Sequence, residues 1–166
     1  MASRIEHRAE FKHPLDQVLS AMSSKDALTE QLAEIGGHNA ALLDHSTSAT
    51  GVSYTLRQGV PADKLPGAVR GLHPGDLMVR REQTWERVEA DRARGTAHAH
   101  VSGIPGDIRA DTELIGNDDR TEWRVTGEVK VRIPLLGGKL ERTISEQVTR
   151  LMVREGRFIA ERLAQR

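Results

Sequence analysis

The C-terminal stretch GGKLERTISEQVTRLMVREGRFIAERLAQR, residues 137–166, decides the fold. Its apolar residues recur at steps of three and four, so on a helix of 3.6 residues per turn they share one broad stripe. The stripe consists of Leu140, Ile144, Val148, Leu151, Met152, Ile159 and Leu163, with Phe158 beside it. Charged residues, among them Arg142, Arg150 and Glu161, occupy the opposite side. Because an isolated amphipathic helix is only marginally stable in water, the stripe predicts a helix that lies on a large apolar surface.

The N-terminal residues predict a strand followed by two short helices. In residues 4–12 apolar and charged side chains alternate, which indicates a half-buried strand. The inward face of this strand consists of Ile5, His7, Ala9 and Phe11. Pro14 suits the first turn of a helix, and Ser24 is a favourable N-cap for the next one. Gly36 and Gly37 end that second helix.

The middle of the chain predicts the rest of the sheet. Six more strands are expected, at residues 39–47, 52–58, 76–89, 94–103, 107–115 and 122–133. Residues 61–75 are rich in proline and glycine and form an irregular connection, with one helical turn at 65–72. This order predicts an α+β fold with a curved antiparallel seven-stranded sheet, two short helices after strand 1 and a long C-terminal helix across the sheet. We expect residues 1–166 to form a single domain of this kind.

Cross-strand matching predicts the register of the last strands. A turn at residues 103–106 and another at 117–119 place apolar residues opposite one another on one face. The predicted apolar-face pairs are Val101–Ile108, Ala99–Ala110, Ala97–Thr112, Leu114–Trp123, Thr112–Val125, Ala110–Gly127 and Ile108–Val129. The other face then carries the polar and charged pairs His98–Asp111, Glu113–Arg124 and Arg109–Glu128. Continuing back through a turn near Asp91 adds Val79, Arg81, Gln83 and Trp85 to the apolar face.

Composition argues against several functional classes. The 24 basic and 24 acidic residues balance, which argues against a nucleic-acid binder and against a polybasic membrane anchor. The lack of cysteine removes disulfides, thiolate nucleophiles and sulfur-ligated metal sites. The charged N-terminal residues are unlike a signal peptide, and no stretch is apolar enough to span a bilayer. We therefore expect a cytoplasmic protein without integral membrane association.

Three stretches carry a resemblance to a known superfamily. They are Arg81-Glu82-Gln83-Thr84-Trp85, Val101-Ser102-Gly103-Ile104-Pro105-Gly106 and, above all, Val131-Arg132-Ile133-Pro134-Leu135-Leu136-Gly137-Gly138-Lys139-Leu140-Glu141. Together with the element order, they make the whole chain resemble the helix-grip fold of the START/SRPBCC superfamily. That superfamily includes birch-pollen-allergen-like proteins, polyketide cyclases and lipid-transfer domains. The closer likeness is to a bacterial domain-of-unknown-function branch.

The resemblance implies a cavity between the sheet and the long helix that holds an apolar or amphipathic small molecule. It carries over no catalytic residues, and no cofactor or metal is expected. Small residues facing the helix are compatible with such a cavity, although they also allow a tightly packed core without one. The predicted ligand-pocket residues are Tyr54, Leu56, Arg81, Gln83, Trp85, Ala97, Ala99, Ala110, Thr112, Val125, Ile144, Val148, Leu151 and Glu155.

Two inward-facing charges predict an ion pair. Arg81 shares the apolar face of its strand, and a buried guanidinium requires a partner. Glu155 falls inside the apolar stripe of the final helix, so we expect it to be that partner. The pair could fix the helix to the sheet, or it could contact the polar end of a ligand. Alternatively, the Arg81 head could reach water along a buried stem.

Three histidines are candidate chemical sites. His98 and His100 lie two apart on one strand, a spacing that metal pairs use, but surface charge pairing is the preferred interpretation. His7 lies on the inward face of the first strand, where a hydrogen-bonded core or rim histidine is favoured over a catalytic base. No nucleophile–histidine–carboxylate spacing, paired-carboxylate motif or phosphate loop was recognised.

The resulting functional prediction is the binding or transport of a small hydrophobic ligand, such as a lipid, isoprenoid or polyketide-like molecule. Access to the cavity is expected through residues 61–75, the early helices and the start of the long helix. Two alternatives stay open, a cyclase- or dehydratase-like enzyme that uses the same cavity and a protein-interaction module of the chaperone-cofactor type. The sequence leaves the oligomeric state and the ligand open.

Overall fold

A computed structural model of the chain describes residues 2–64, 67–72 and 75–165. Seven strands form one antiparallel sheet in the order β1-β7-β6-β5-β4-β3-β2. The strands are β1 Ser3–Phe11, β2 Ala41–Thr47, β3 Gly51–Val60, β4 Leu77–Glu89, β5 Arg92–Val101, β6 Gly106–Gly116 and β7 Thr121–Val131. The α-helices are α1 Leu15–Ser23, α2 Lys25–Ile35, α3 Gly67–Leu72 and α4 Gly137–Ala164, and a short 3-10 turn spans Ala62–Lys64. The predicted fold class is confirmed.

The local sequence signals explain where the early helices begin and end. Pro14 precedes α1, and the Ser24 side chain accepts a hydrogen bond from the Ala27 backbone N–H at 3.2 Å, so it caps α2 as expected. Gly36 follows α2, and Gly37 has a φ of 81°, a conformation that glycine adopts easily. The predicted helical turn at 65–72 corresponds in part to α3, while residues 65, 66, 73 and 74 lie outside the described residues.

The long helix packs on the sheet where its stripe predicts. α4 lies against β1 and β7, and α1 and α2 also contact it. Its buried side chains include Leu140, Met152, Ile159 and Leu163, together with two charged residues, Glu141 and Glu155. None of the helices in the described ranges has an apolar stretch long enough to cross a membrane.

The predicted register is right for one pair of strands and wrong for another. Between β6 and β7 the predicted pairs, such as Leu114 with Trp123 and Ala110 with Gly127, are confirmed. Between β5 and β6 the prediction is wrong by two residues, because Ala99 pairs with Ile108 and Ala97 with Ala110, while Thr112 pairs with Gly95.

The turn between β5 and β6 explains this error. It is centred one residue earlier than predicted, with Gly103 at a φ of 83° and the Ile104 N–H donating to the Val101 carbonyl at 3.2 Å. A shift of two residues leaves every side chain on its predicted face. It does move His98 opposite Arg109, and the His98 ring contacts Asp107 at 3.3 Å rather than Asp111.

Candidate functional site

A cavity lies between the inner face of the sheet and the helices that cover it. Its volume is about 110 Å³, and most of its lining is apolar. It is bounded by β3 to β7, by α4, and by residues of β1, α1 and α2. The concave side of the sheet is therefore mostly filled by protein side chains, with one hollow left in the middle.

The structure brings all but one of the predicted pocket residues together around this cavity. The lining includes Tyr54, Leu56, Arg81, Gln83, Trp85, Ala97, Ala99, Ala110, Thr112, Val125, Val148, Leu151 and Glu155. The exception is Ile144, which lies one helical turn before Val148 in α4. It lines a separate hollow of about 10 Å³ together with Val131 and Ile104. That these residues contact a ligand stays a prediction.

Several lining residues were missed by the sequence analysis. They are Ile5, Met22, Leu28, Gln31, Gln58, Val79, Ile108, Trp123, Met152 and Ile159. For the two glutamines a signal existed in the sequence. Gln31 follows Ala27 by four residues and Leu28 by three on the same helix face, and Gln58 continues the alternation of Tyr54 and Leu56. That α1 and α2 reach the cavity at all had no such signal, because the position of these helices over the sheet is decided by tertiary packing.

An ion pair connects α4 to the sheet at the cavity wall. Arg81 Nη1 donates to Glu155 Oε2 at 2.6 Å, and Nη2 donates to Oε1 at 3.2 Å, so the contact is bidentate. Gln31 Nε2 donates to the same Glu155 Oε2 at 3.1 Å. Burial alone would lower the pKa of Arg81, but the charge of Glu155 and its hydrogen bonds raise that pKa overall. The predicted pairing is confirmed, and each charge is neutralised by the other.

Neutral polar groups make up the rest of the polar lining. Gln83 Nε2 donates to Thr112 Oγ1 at 3.2 Å and to the Thr84 carbonyl at 2.8 Å. Burial raises the pKa of Tyr54 to about 12, against the lowering effect of the Arg81 charge, so the phenol stays protonated at neutral pH. Trp85 lies near the Tyr54 hydroxyl and acts to lower that pKa, but the buried Trp85 Nε1 has no hydrogen-bond partner among the described residues.

The candidate histidines His7 and His98 take part in separate local contacts. His7 is half-buried and meets the Trp123 ring edge-on, with 5.0 Å between ring centroids. Burial lowers the pKa of His7, and the nearby Glu155 charge opposes this shift. His98 pairs with Asp107, and among the described residues no group of three histidines and carboxylates could hold a metal ion.

Wider depressions exist on the outer face of the sheet. One has a volume of about 980 Å³ and a floor that includes Ser53, Thr84 and Thr96. Another, of about 730 Å³, is bordered by charged residues such as Arg109 and Glu128. Both are wide open, and hydroxyl and charged groups make up much of their lining, so they are poorly suited to an apolar molecule.

Comparison with solved structures identifies the fold class of this architecture. A START superfamily protein from Mycobacterium smegmatis superposes with a TM-score of 0.53 at 13% identity, over 98% of this chain and 97% of that one. Norcoclaurine synthase from Thalictrum flavum, in complex with dopamine and hydroxybenzaldehyde, superposes with a TM-score of 0.56 at 11% identity, over 99% of this chain and 88% of that one. At these identities the likeness is one of fold, and it is the START-like fold that the sequence resembles.

Comparison of sequences gives the family. The uncharacterized protein Rv0481c of Mycobacterium tuberculosis is 34% identical over 154 residues, which cover 92% of this chain and 84% of that protein. The model of the family described as "Protein of unknown function (DUF2505)" matches residues 6–163. The matched range runs from within β1 to the last turn of α4, so it includes part of β1, the six other strands and every cavity-lining residue except Ile5. The chain therefore belongs to the DUF2505 family, and it has a START-like helix-grip fold.

Proposed function

We propose that this protein binds a small hydrophobic or amphipathic ligand, such as a lipid, isoprenoid or polyketide-like molecule, in the cavity between the sheet and α4. The observation that supports this proposal is the unfilled hollow of about 110 Å³ at the centre of an otherwise packed interface. At roughly 24 cal/mol per Å³, an empty hollow of this size reduces stability by about 2–3 kcal/mol. A void that lowers the free energy of unfolding by this amount is better explained by ligand binding than by imperfect packing.

The size of the hollow limits the ligand. An apolar cavity of about 150 Å³ accommodates benzene, whereas pockets for larger ligands measure roughly 300–1,000 Å³. The hollow in this conformation therefore suits one ring or a short branched chain. A longer ligand requires α4 to move away from the sheet, and it would then also reach Ile144.

The charged residues in the cavity wall limit which kind of polar group a ligand can carry. Arg81 and Glu155 neutralise each other through two hydrogen bonds, so neither is left to bind an opposite charge. The remaining polar lining residues are neutral hydrogen-bonding groups at neutral pH; they include Tyr54, Gln83, Thr112, Gln31 and Gln58. This arrangement favours a hydroxyl or carbonyl group over a carboxylate or an ammonium group. Ligand binding would rest mainly on apolar burial, at about 25 cal/mol per Å² removed from water.

An enzyme in the same cavity is the second candidate. Norcoclaurine synthase shares this fold, and its structure contains dopamine and hydroxybenzaldehyde, two molecules with single rings. In the present chain the Tyr54 phenol and the Arg81–Glu155 pair would be the groups that face a substrate. Turnover that is lost in Tyr54→Phe, while ligand binding is retained, would favour the enzyme over the carrier.

The test of the binding proposal is native mass spectrometry of protein purified from its own source, before and after extraction with organic solvent. We expect a bound small molecule that extraction removes. Ala110→Leu places three more carbon atoms at the cavity wall, so it should reduce the bound fraction at least tenfold without lowering the melting temperature. The matched control, Ala160→Leu on the exposed side of α4, should retain the ligand.

Two outcomes would contradict the proposal. The first is protein from its own source that carries no extractable molecule. The second is an Ala110→Leu variant that keeps as much ligand as the Ala160→Leu control.

A further inference from the structure

The turn between β7 and α4 exposes apolar side chains at the surface. Leu135 has 104% of its reference area exposed and Leu136 has 38%, and Pro134 beside them is also exposed. Leu135 adopts a φ of 69°, the left-handed conformation that is unfavourable for a leucine and easy for a glycine. Folding therefore gains neither burial nor a relaxed backbone from a leucine at this position.

The exposed charged residues of this segment are all basic, although one of them, Arg132, lies 3.9 Å from the Asp107 carboxylate. In residues 130–142, all of which are described, Lys130, Arg132, Lys139 and Arg142 are exposed. The one acidic residue, Glu141, is 3% exposed and accepts a hydrogen bond from the Val131 backbone N–H at 2.8 Å. The balanced charge of the whole chain thus conceals a local basic excess beside the exposed leucines.

The start of α4 extends this basic character. Its first turn carries no acidic residue, and its N-cap, Leu136, offers no side-chain acceptor to the free backbone N–H groups. The positive end of the helix dipole consequently points toward the same surface. An isolated helix would be stabilised by an acidic residue at its N-cap or in its first turn, but α4 has Leu136 and Lys139 at such positions.

We propose that residues 132–142 dock on an anionic lipid bilayer, with Leu135 and Leu136 inserted among the acyl chains and the cations against the headgroups. Apolar insertion combined with electrostatic attraction is the pair of contributions that holds peripheral proteins on membranes. A folded protein partner is a poorer fit, because specific protein interfaces bury roughly 800 Å² per partner and this turn presents two leucines and a proline.

The docking element lies at the end of the sheet where a second, small hollow adjoins the main cavity. The small hollow beside Val131 and Ile144 shares Ala99 and Ile108 with the main cavity. An apolar molecule that leaves a bilayer at this end would therefore meet the sheet–helix interface first. Membrane docking does not require that the cavity be occupied, so it can be tested separately from ligand binding.

The experiment is flotation of the full chain with vesicles made of equal parts phosphatidylglycerol and phosphatidylcholine, and with pure phosphatidylcholine vesicles. We expect the wild type to float with the anionic vesicles, less with the neutral ones, and less at high salt. Leu135→Gly relieves the unfavourable φ, so it should unfold at the same temperature or higher while its vesicle partitioning falls about tenfold or more.

A matched control removes an exposed leucine elsewhere. Leu43→Ser, in β2, should float as the wild type does. Arg132→Gln combined with Lys139→Gln should weaken binding to anionic vesicles only. Absence of wild-type flotation with the anionic vesicles, or equal flotation of Leu135→Gly and the wild type, would overturn the proposal.

Discussion

Replacement of Arg81 by methionine tests how α4 is held on the sheet. The change removes the guanidinium but keeps an unbranched apolar side chain against Leu56 and Ala99, the residues that pair with Arg81 on either side. Glu155, whose side chain is 3% exposed, then keeps only its hydrogen bond from Gln31. A buried carboxylate without its cation is strongly unfavourable.

The expected loss of stability follows from the burial of the two partners. Removing one member of a buried pair typically lowers the free energy of unfolding by about 3–5 kcal/mol. The Arg81 side chain is 20% exposed, so we expect a value near the lower end, about 3 kcal/mol. Replacing both partners, as Arg81→Met with Glu155→Leu, removes the uncompensated charge and should restore stability to within about 1–2 kcal/mol of the wild type.

The assay is urea denaturation followed by tryptophan fluorescence, since Trp85 and Trp123 are 3% and 4% exposed and report on the core. The two single variants and the double variant form a double-mutant cycle, and we expect a coupling energy of at least about 2 kcal/mol. The slope of the unfolding free energy against urea concentration should be unchanged. A loss below about 1 kcal/mol for Arg81→Met would refute the reasoning, because it would mean that the pair does not hold the helix to the sheet.

Two further predictions concern charge and pH. Glu155→Gln leaves the Arg81 cation without its counter-ion, so binding of benzoate relative to benzyl alcohol, measured by calorimetry at neutral pH, should rise at least tenfold; an unchanged ratio would contradict the assignment of a neutral ligand. Folding lowers the pKa of His7 below 6.5, so between the folded-state pKa and pH 6.5 the unfolded chain binds more protons than the folded chain. The contribution of His7 to the free energy of unfolding is therefore fully present above pH 6.5, and it should be lost as the pH falls to the folded-state pKa. His7→Phe should flatten this part of the stability profile in urea titrations, and parallel profiles would show that His7 is not responsible.

Local signals were sufficient for most of the fold. The three-and-four spacing of Leu140, Met152 and Ile159 predicts α4, and the alternation in residues 4–12 predicts β1, because both patterns are fixed by backbone geometry within a few residues. The inward position of Arg81 and of Glu155 follows from the same periodicities. Their pairing could be inferred because a buried charge has few acceptable partners.

The register between β5 and β6 could not be read in the same way. The residues available for pairing there are mainly alanines and small polar residues, so a slip by two changes the apolar matching very little. The turn decides the register, through the φ of Gly103 and the hydrogen bond from Ile104 to Val101. That geometry depends on where the neighbouring strands and the Arg132–Pro105 hydrogen bond hold the loop.

The sequence by itself determined the order of elements, the faces they bury and the family to which the chain belongs, since these depend on local periodicity and on motifs. The tertiary structure alone decided that the interface leaves a hollow of about 110 Å³, that α1 and α2 complete its wall, and that Leu135 stands fully exposed. The physical reason is that a cavity is the small difference between the space enclosed by the elements and the volume of the side chains that fill it. That difference depends on how far α4 lies from the sheet, which no local pattern encodes.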